Sequence, residues 1–165
     1  MDAGLNRRKV FAMPIYMRIT KRGLPVITGD ATEKGHEKWI ELLSVQMGPS
    51  RSFMPIGGGV TANVSEIVVT KSMDSASAAL WHESLYGEGL TIQIDFVKAD
   101  APYLTYTLLN AVISGFQTGP GTAESVTLTF TKMTLDSHGT GPDVSGHAEG
   151  VMKQGHASPR SGGTR

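Results

Sequence analysis

The sequence predicts a mainly β protein with a single α-helix laid against it. Between residues 13 and 135 apolar and polar side chains alternate with period two in segment after segment, the repeat of strands with one buried face. Gly- and Pro-bearing turns separate those segments. One stretch alone, residues 75–86, drops the alternation and carries Ala76, Ala78, Ala79 and Leu80 with neither Pro nor Gly, as a helix requires.

That helix lies in the organising stretch, residues 64–86, VSEIVVTKSMDSASAALWHESLY. Ile67, Val68, Val69 and Thr70 are β-branched and suit a pleated, half-buried surface. Ser72, Asp74 and Ser75 follow, short polar side chains that accept hydrogen bonds from the free N–H groups of a helix start. Asp74 is the expected N-cap, with its charge against the positive end of the helix dipole. Ala78, Trp81 and Leu85 share one helix face. Gly87 and Gly89 are expected to stop the helix in the left-handed conformation.

The other elements follow in order. Residues 1–12 hold Arg7, Arg8 and Lys9 but no apolar run behind them, since Arg18, Lys21 and Arg22 intrude; they read as a disordered leader, not an export signal. In residues 14–19, Ile15, Met17 and Ile19 alternate with Tyr16 and Arg18, a strand. Residues 20–37 read as a loop, with Gly23, Pro25, Gly29, Asp30 and Gly35. Residues 39–47 read as a strand apolar on both faces, hence covered on both sides. Residues 48–63, GPSRSFMPIGGGVTAN, form a long loop. Its Phe53, Met54 and Ile56 belong either to an arm that packs on a neighbouring subunit or to a segment folded back on its own chain.

Residues 90–98 are a clear amphipathic strand, Leu90, Ile92, Ile94 and Phe96 opposite Thr91, Gln93 and Asp95. After a tight connection at 99–102, residues 103–116 continue with Leu104, Tyr106, Leu108 and Val112 in phase, and 117–122 turn at Gly119, Pro120 and Gly121. Residues 124–135 keep Val126, Leu128 and Phe130 in phase until a slip at Lys132–Met133 that predicts a bulge. Residues 136–165 lack aromatics and are rich in Gly, Ser and His, a composition too poor in apolar surface to offset chain entropy.

Composition excludes several functions. The chain has 165 residues, enough for one domain with a real core. It has no cysteine, so disulfides, thiolate metal sites and a cysteine nucleophile are out. Fifteen basic and fifteen acidic residues cancel, and aromatics are sparse; neither a global field nor a stacking platform favours nucleic acid. No apolar run suits direct membrane insertion.

Catalytic signals are missing. His36–Glu37 has Ile40 where a zinc-protease motif needs its second histidine. Gly57, Gly58 and Gly59 lack the Lys-Ser/Thr of a phosphate loop. His138, His147 and His156 recur at equal spacing without a carboxylate shell, a weak metal site at best. His82–Glu83, Asp95 and Asp100 read as ordinary surface groups. The expectation is no enzyme, no cofactor and no bound metal.

Several strings together resemble one family: MPIYMRI at 13–19, GDATEKGHEKWIELLSVQ at 29–46, VSEIVVTKSMDSAS at 64–77, YLTYTLLNAVISG at 103–115 and ESVTLTFTK at 124–132. They are similar, in order, to the haemolysin-coregulated proteins (Hcp) of bacterial type VI secretion. The resemblance covers about residues 13–135. It implies two packed antiparallel sheets forming a partly closed β-barrel with one flanking helix. It also implies a homohexameric ring and a tube of stacked rings, driven out by a sheath behind a spike-tip protein and holding small effector proteins in its lumen. The protein would assemble in the cytoplasm and leave without a cleaved signal. Residues 48–63 would be the family's arm, with Arg51, Phe53, Met54 and Ile56 at the subunit interface. Glu33, Lys34, His36 and Glu37, with the turn 117–122, would lie on the ring-stacking face. Residues 20–27 are longer than the family's connection, and 136–165 lack its aromatic, Tyr-Asp-containing ending. The rivals are a monomeric β-sandwich that binds carbohydrate, which the few aromatics disfavour, and a small hydrolase on a β-scaffold.

Overall fold

A computed structural model describes residues 13–47, 49–52, 61–64, 66–138 and 146–149. The leader 1–12 and the arm tip 53–60 lie outside the described residues, as does most of the segment after His138.

Among the described residues the chain is mainly β with one α-helix. The strands are β1 (Ile15–Lys21), β2 (Leu24–Ile27), β3 (Ile40–Leu42), β4 (Ser44–Gln46), β5 (Pro49–Ser52), β6 (Thr61–Val64) and β7 (Ile67–Ser72), followed by α1 (Ser77–Tyr86). Then come β8 (Leu90–Lys98), β9 (Ala101–Thr118), β10 (Ala123–Thr129), β11 (Lys132–Ser137) and β12 (Gly146–Glu149). Ten strands make one branched antiparallel sheet with the path β2-β1-β8-β9-β10-β7-β4, and β5 with β6 forms a separate hairpin.

β9 is the hinge between two layers. Its first half pairs with β8 on one edge and β11 on the other, while Val112–Thr118 pairs with β10. On the opposite side the chain passes from β3, which pairs β1, to β4, which pairs β7. The hydrogen-bond ladder does not close a circle; between β3 and β4 the Leu43 N–H donates to the Thr70 carbonyl at 2.7 Å. Between the layers Met17, Ile19, Ile40, Ile67, Val69, Leu90, Ile92, Ile94, Leu108, Val126 and Leu128 form a continuous buried core.

Several expectations need correction. Residues 24–27, read as loop, form β2, joined to β1 by a two-residue turn in which Arg22 (φ 53°) and Gly23 (φ 80°) are both left-handed. That mirror-image turn follows the strands' own twist. The single strand expected at 39–47 breaks at Leu43, which is exposed. The slip expected at 132–133 falls earlier, at Phe130–Thr131, where β10 ends before β11 begins.

The helix also differs from its reading. Ala76 occupies the N-cap position, and Asp74 acts two residues before it, its Oδ1 accepting the Ala76 N–H at 2.9 Å. Gly87 is extended (φ −79°, ψ 143°), and only Gly89 takes the left-handed conformation (φ 66°). The buried contacts come from Ala76 and Leu80, while Trp81 (56 % exposed) and Leu85 (53 %) face solvent.

Candidate functional site

No three or more His, Cys, Asp or Glu side chains converge on a metal position among the described residues. What the fold builds instead is a set of rigidly held surface elements. The first is the loop 29–38. Its neck is closed by backbone bonds: Gly29 N–H to Lys38 C=O at 2.8 Å, Lys38 N–H to Ala31 C=O at 2.8 Å and Ala31 N–H to Trp39 C=O at 3.1 Å. Gly29 must be glycine, because a Cβ there would lie 2.5 Å from the Trp39 carbonyl oxygen and 2.7 Å from Ile40 Cα.

Two polar anchors hold this loop. Underneath, His36 is buried with Nε2 2.9 Å from Asp95 Oδ2, its ring stacked on Tyr16 and edge-on to Trp39. The second oxygen of Asp95 accepts the Thr105 hydroxyl at 2.9 Å and the Gln93 amide at 3.0 Å. At the neck, Asp30 accepts the Ser75 hydroxyl at 2.6 Å and the Ser75 N–H at 3.1 Å. Those two bonds hold the Asp30 carboxyl below its ordinary range, with the charges of Lys71 and Lys38 adding to the effect. Burial pushes the Tyr16 and Tyr106 hydroxyls up.

The helix start is pinned in turn by a buried charge cluster. Lys71 on β7 stands directly opposite Glu124 on β10. Lys71 Nζ donates to Glu124 Oε2 at 2.8 Å and to Asp74 Oδ1 at 2.6 Å, with the Lys71 side chain 0 % exposed and that of Glu124 1 %. The Ser77 hydroxyl donates to Glu124 Oε2 at 2.8 Å.

Residues 16–136 match the family described as "Type VI secretion system effector, Hcp". The chain belongs to the Hcp family. Hcp1 from E. coli shares the fold, with a TM-score of 0.70 at 20% identity over 81% of this chain and 97% of that one. Secreted protein Hcp3 from Pseudomonas aeruginosa superposes with a TM-score of 0.67 at 24% identity, covering 83% of this chain and 99% of its own. A type VI secretion system effector from Yersinia pestis reaches 0.65 at 23% identity, covering 81% and 98%. No curated protein matches the sequence.

On this Hcp fold the singled-out residues separate. Lys34 and Glu37 are exposed on the loop, Glu33 is half-buried, and His36 is an internal anchor. Arg51 lies on the arm strand β5, and Phe53, Met54 and Ile56 lie outside the described residues. The hairpin β5–β6 stands beside β12. Asp95, read as a surface carboxylate, is buried. Lys71 and Glu124 were legible from phase alone: Lys71 continues Ile67 and Val69, and Glu124 precedes Val126 and Leu128, so both had to point inward.

Proposed function

We propose that the chain is a ring-forming tube subunit of a type VI secretion system. The match of residues 16–136 to the Hcp family carries this reading. Protomers dock side by side into a homohexamer, rings stack into a tube, and the work is done by shape and contact surface, with no bond made or broken. A head-to-tail contact of this kind closes into a ring when its rotation allows. The sheet path ends at β2 and β4, and ring closure would cover such edges, which otherwise invite uncontrolled pairing. The arm, with Arg51, Phe53, Met54 and Ile56, is the proposed lateral contact. The loop bearing Glu33, Lys34 and Glu37, held from below by His36, is the proposed stacking face, together with the turn 117–122.

The sheath and spike-tip protein are the proposed external partners, and small effector proteins the cargo. The protein is secreted without a cleaved signal in this reading; among the described residues no helix is long and apolar enough to cross a membrane. Native mass spectrometry of the purified protein tests the assembly. A species of about six chain masses is expected, and Phe53→Ser with Met54→Ser should reduce it to one chain mass while leaving the circular dichroism unchanged. A native protein that stays single at high concentration overturns the proposal.

A further inference from the structure

The Lys71–Glu124 pair is more elaborate than core stability asks for. Two carboxylates and one amine are gathered in a site where the amine and one carboxylate are sealed from water. Removing charges from water costs so much that well-packed apolar residues in their place are often as stable or more so. Apart from Glu124 and the carbonyl of its β7 neighbour Ser72 at 2.8 Å, the partners of Lys71 belong to the turn into α1 or its first residue: Asp74 Oδ1 and the Ser77 hydroxyl at 3.2 Å. Ser75, next in the chain after Asp74, is the residue that holds Asp30. A cleft lined by Asp30, Ala31, Glu41, Leu43, Ser72 and Asp74 lies between the two elements, and the bonds of Ser75 cross from one to the other.

We propose that Lys71 and Glu124 are positioning residues: they fix the start of α1 on the sheet so that Ser75 holds Asp30, and through it the neck of the loop 29–38, in one pose. This rests on the reading of that loop as the stacking face. The pair thereby sets the geometry of a surface it does not touch. The His36–Asp95 anchor acts on the same loop from below and shares no residue with the pair.

The test compares the native chain with Lys71→Met alone, with Lys71→Met/Glu124→Leu, and with Ser75→Ala. The single change strands Glu124 in the interior and should lower the denaturation midpoint. The double change should restore the midpoint to near the native value. It should still speed hydrogen exchange at the Ala31, Lys38 and Ser75 amides by about tenfold or more, because a local unit opens without global unfolding; the amides of β8 should stay slow. Ring stacking, followed by light scattering, should then need a several-fold higher protein concentration. Ser75→Ala removes the hydroxyl half of the link beyond the pair, leaves the Ser75 N–H bond to Asp30, and should reproduce part of the fast exchange. A double variant with native exchange and native stacking overturns the proposal, and so does one that unfolds as readily as the single change, since the pair would then be a plain stabiliser. If the native chain forms no rings, the tube reading fails by itself, and the exchange comparison on the monomer still decides this one.

Discussion

Gly29→Ala is the sharpest perturbation of the loop that the tube reading places between rings. The added Cβ would meet the Trp39 carbonyl oxygen at 2.5 Å, Ile40 Cα at 2.7 Å and Trp39 carbonyl carbon at 2.9 Å. All three are backbone atoms, and Ile40 begins β3, which pairs with β1, so the neighbour cannot simply turn aside. The chain must open the neck instead. Overpacking of this kind costs about 1–3 kcal/mol. Loss of the Gly29–Lys38 bond, and strain on the Lys38–Ala31 and Ala31–Trp39 bonds, adds about 1 kcal/mol for each bond lost. A net penalty of about 2–4 kcal/mol follows, near the upper part of the usual range for one substitution. Gly23→Ala is the matched control: it has a left-handed φ of 80° but nothing within 4 Å of the added atom, so only the backbone term of about 1 kcal/mol applies. The assay is urea denaturation with hydrogen exchange at the Ala31 and Lys38 amides. An opening penalty of 2 kcal/mol, at the low end of the expected ~2–4, already makes exchange ~30-fold faster. Native exchange in Gly29→Ala would refute the reasoning, because it would mean that the backbone at Trp39 and Ile40 yields freely.

Two further outcomes concern the helix and pH. Leu80→Ala should destabilise by about 2–5 kcal/mol, the cost of emptying a buried leucine site, whereas Trp81→Ala should stay within about 0.5 kcal/mol on the monomer because that side chain is exposed; thermal melts of the two variants check the contrast. Asp30 has a folded pKa below its unfolded one, so its contribution to the latch is present above the unfolded value and is lost as pH falls through the lowered folded value. Exchange at the Ser75 amide should accelerate in that acid window, and Asp30→Asn, which cannot titrate, should abolish the acid dependence.

Strand phase was legible wherever a strand stays in one layer. Residues 90–98 were bounded as β8 because Leu90, Ile92 and Ile94 face the core, although past Ile94 the pattern changes, with Asp95 and Val97 buried and Phe96 half-buried. It failed where the chain changes layers. Ile40 and Leu42 point inward from β3, and Val45 and Met47 lean on the core after the bend at Leu43. In one dimension that shift of phase looks like a strand apolar on both sides; in space it is one strand turning a corner. The helix stripe misled for a related reason. Ala78, Trp81 and Leu85 are the larger apolar set, yet the contact with the sheet is narrow and is filled by Ala76 and Leu80. Of the candidate site, the loop 29–38 was legible by its polar composition. The burial of His36 was not, since its partner Asp95 lies 59 positions away.

The buried polar groups spend their bonding capacity on one another. Asp95 is taken up by His36, Gln93 and Thr105. Glu124 is taken up by Lys71 and Ser77. Among the described residues no buried side-chain nitrogen or oxygen lacks a partner. Each network ends on a surface element: the first on the underside of the loop 29–38, the second on the helix start that grips the neck of that loop. Polar groups spent on the pose of an exposed, charged loop are well used if that loop must meet an identical ring in register.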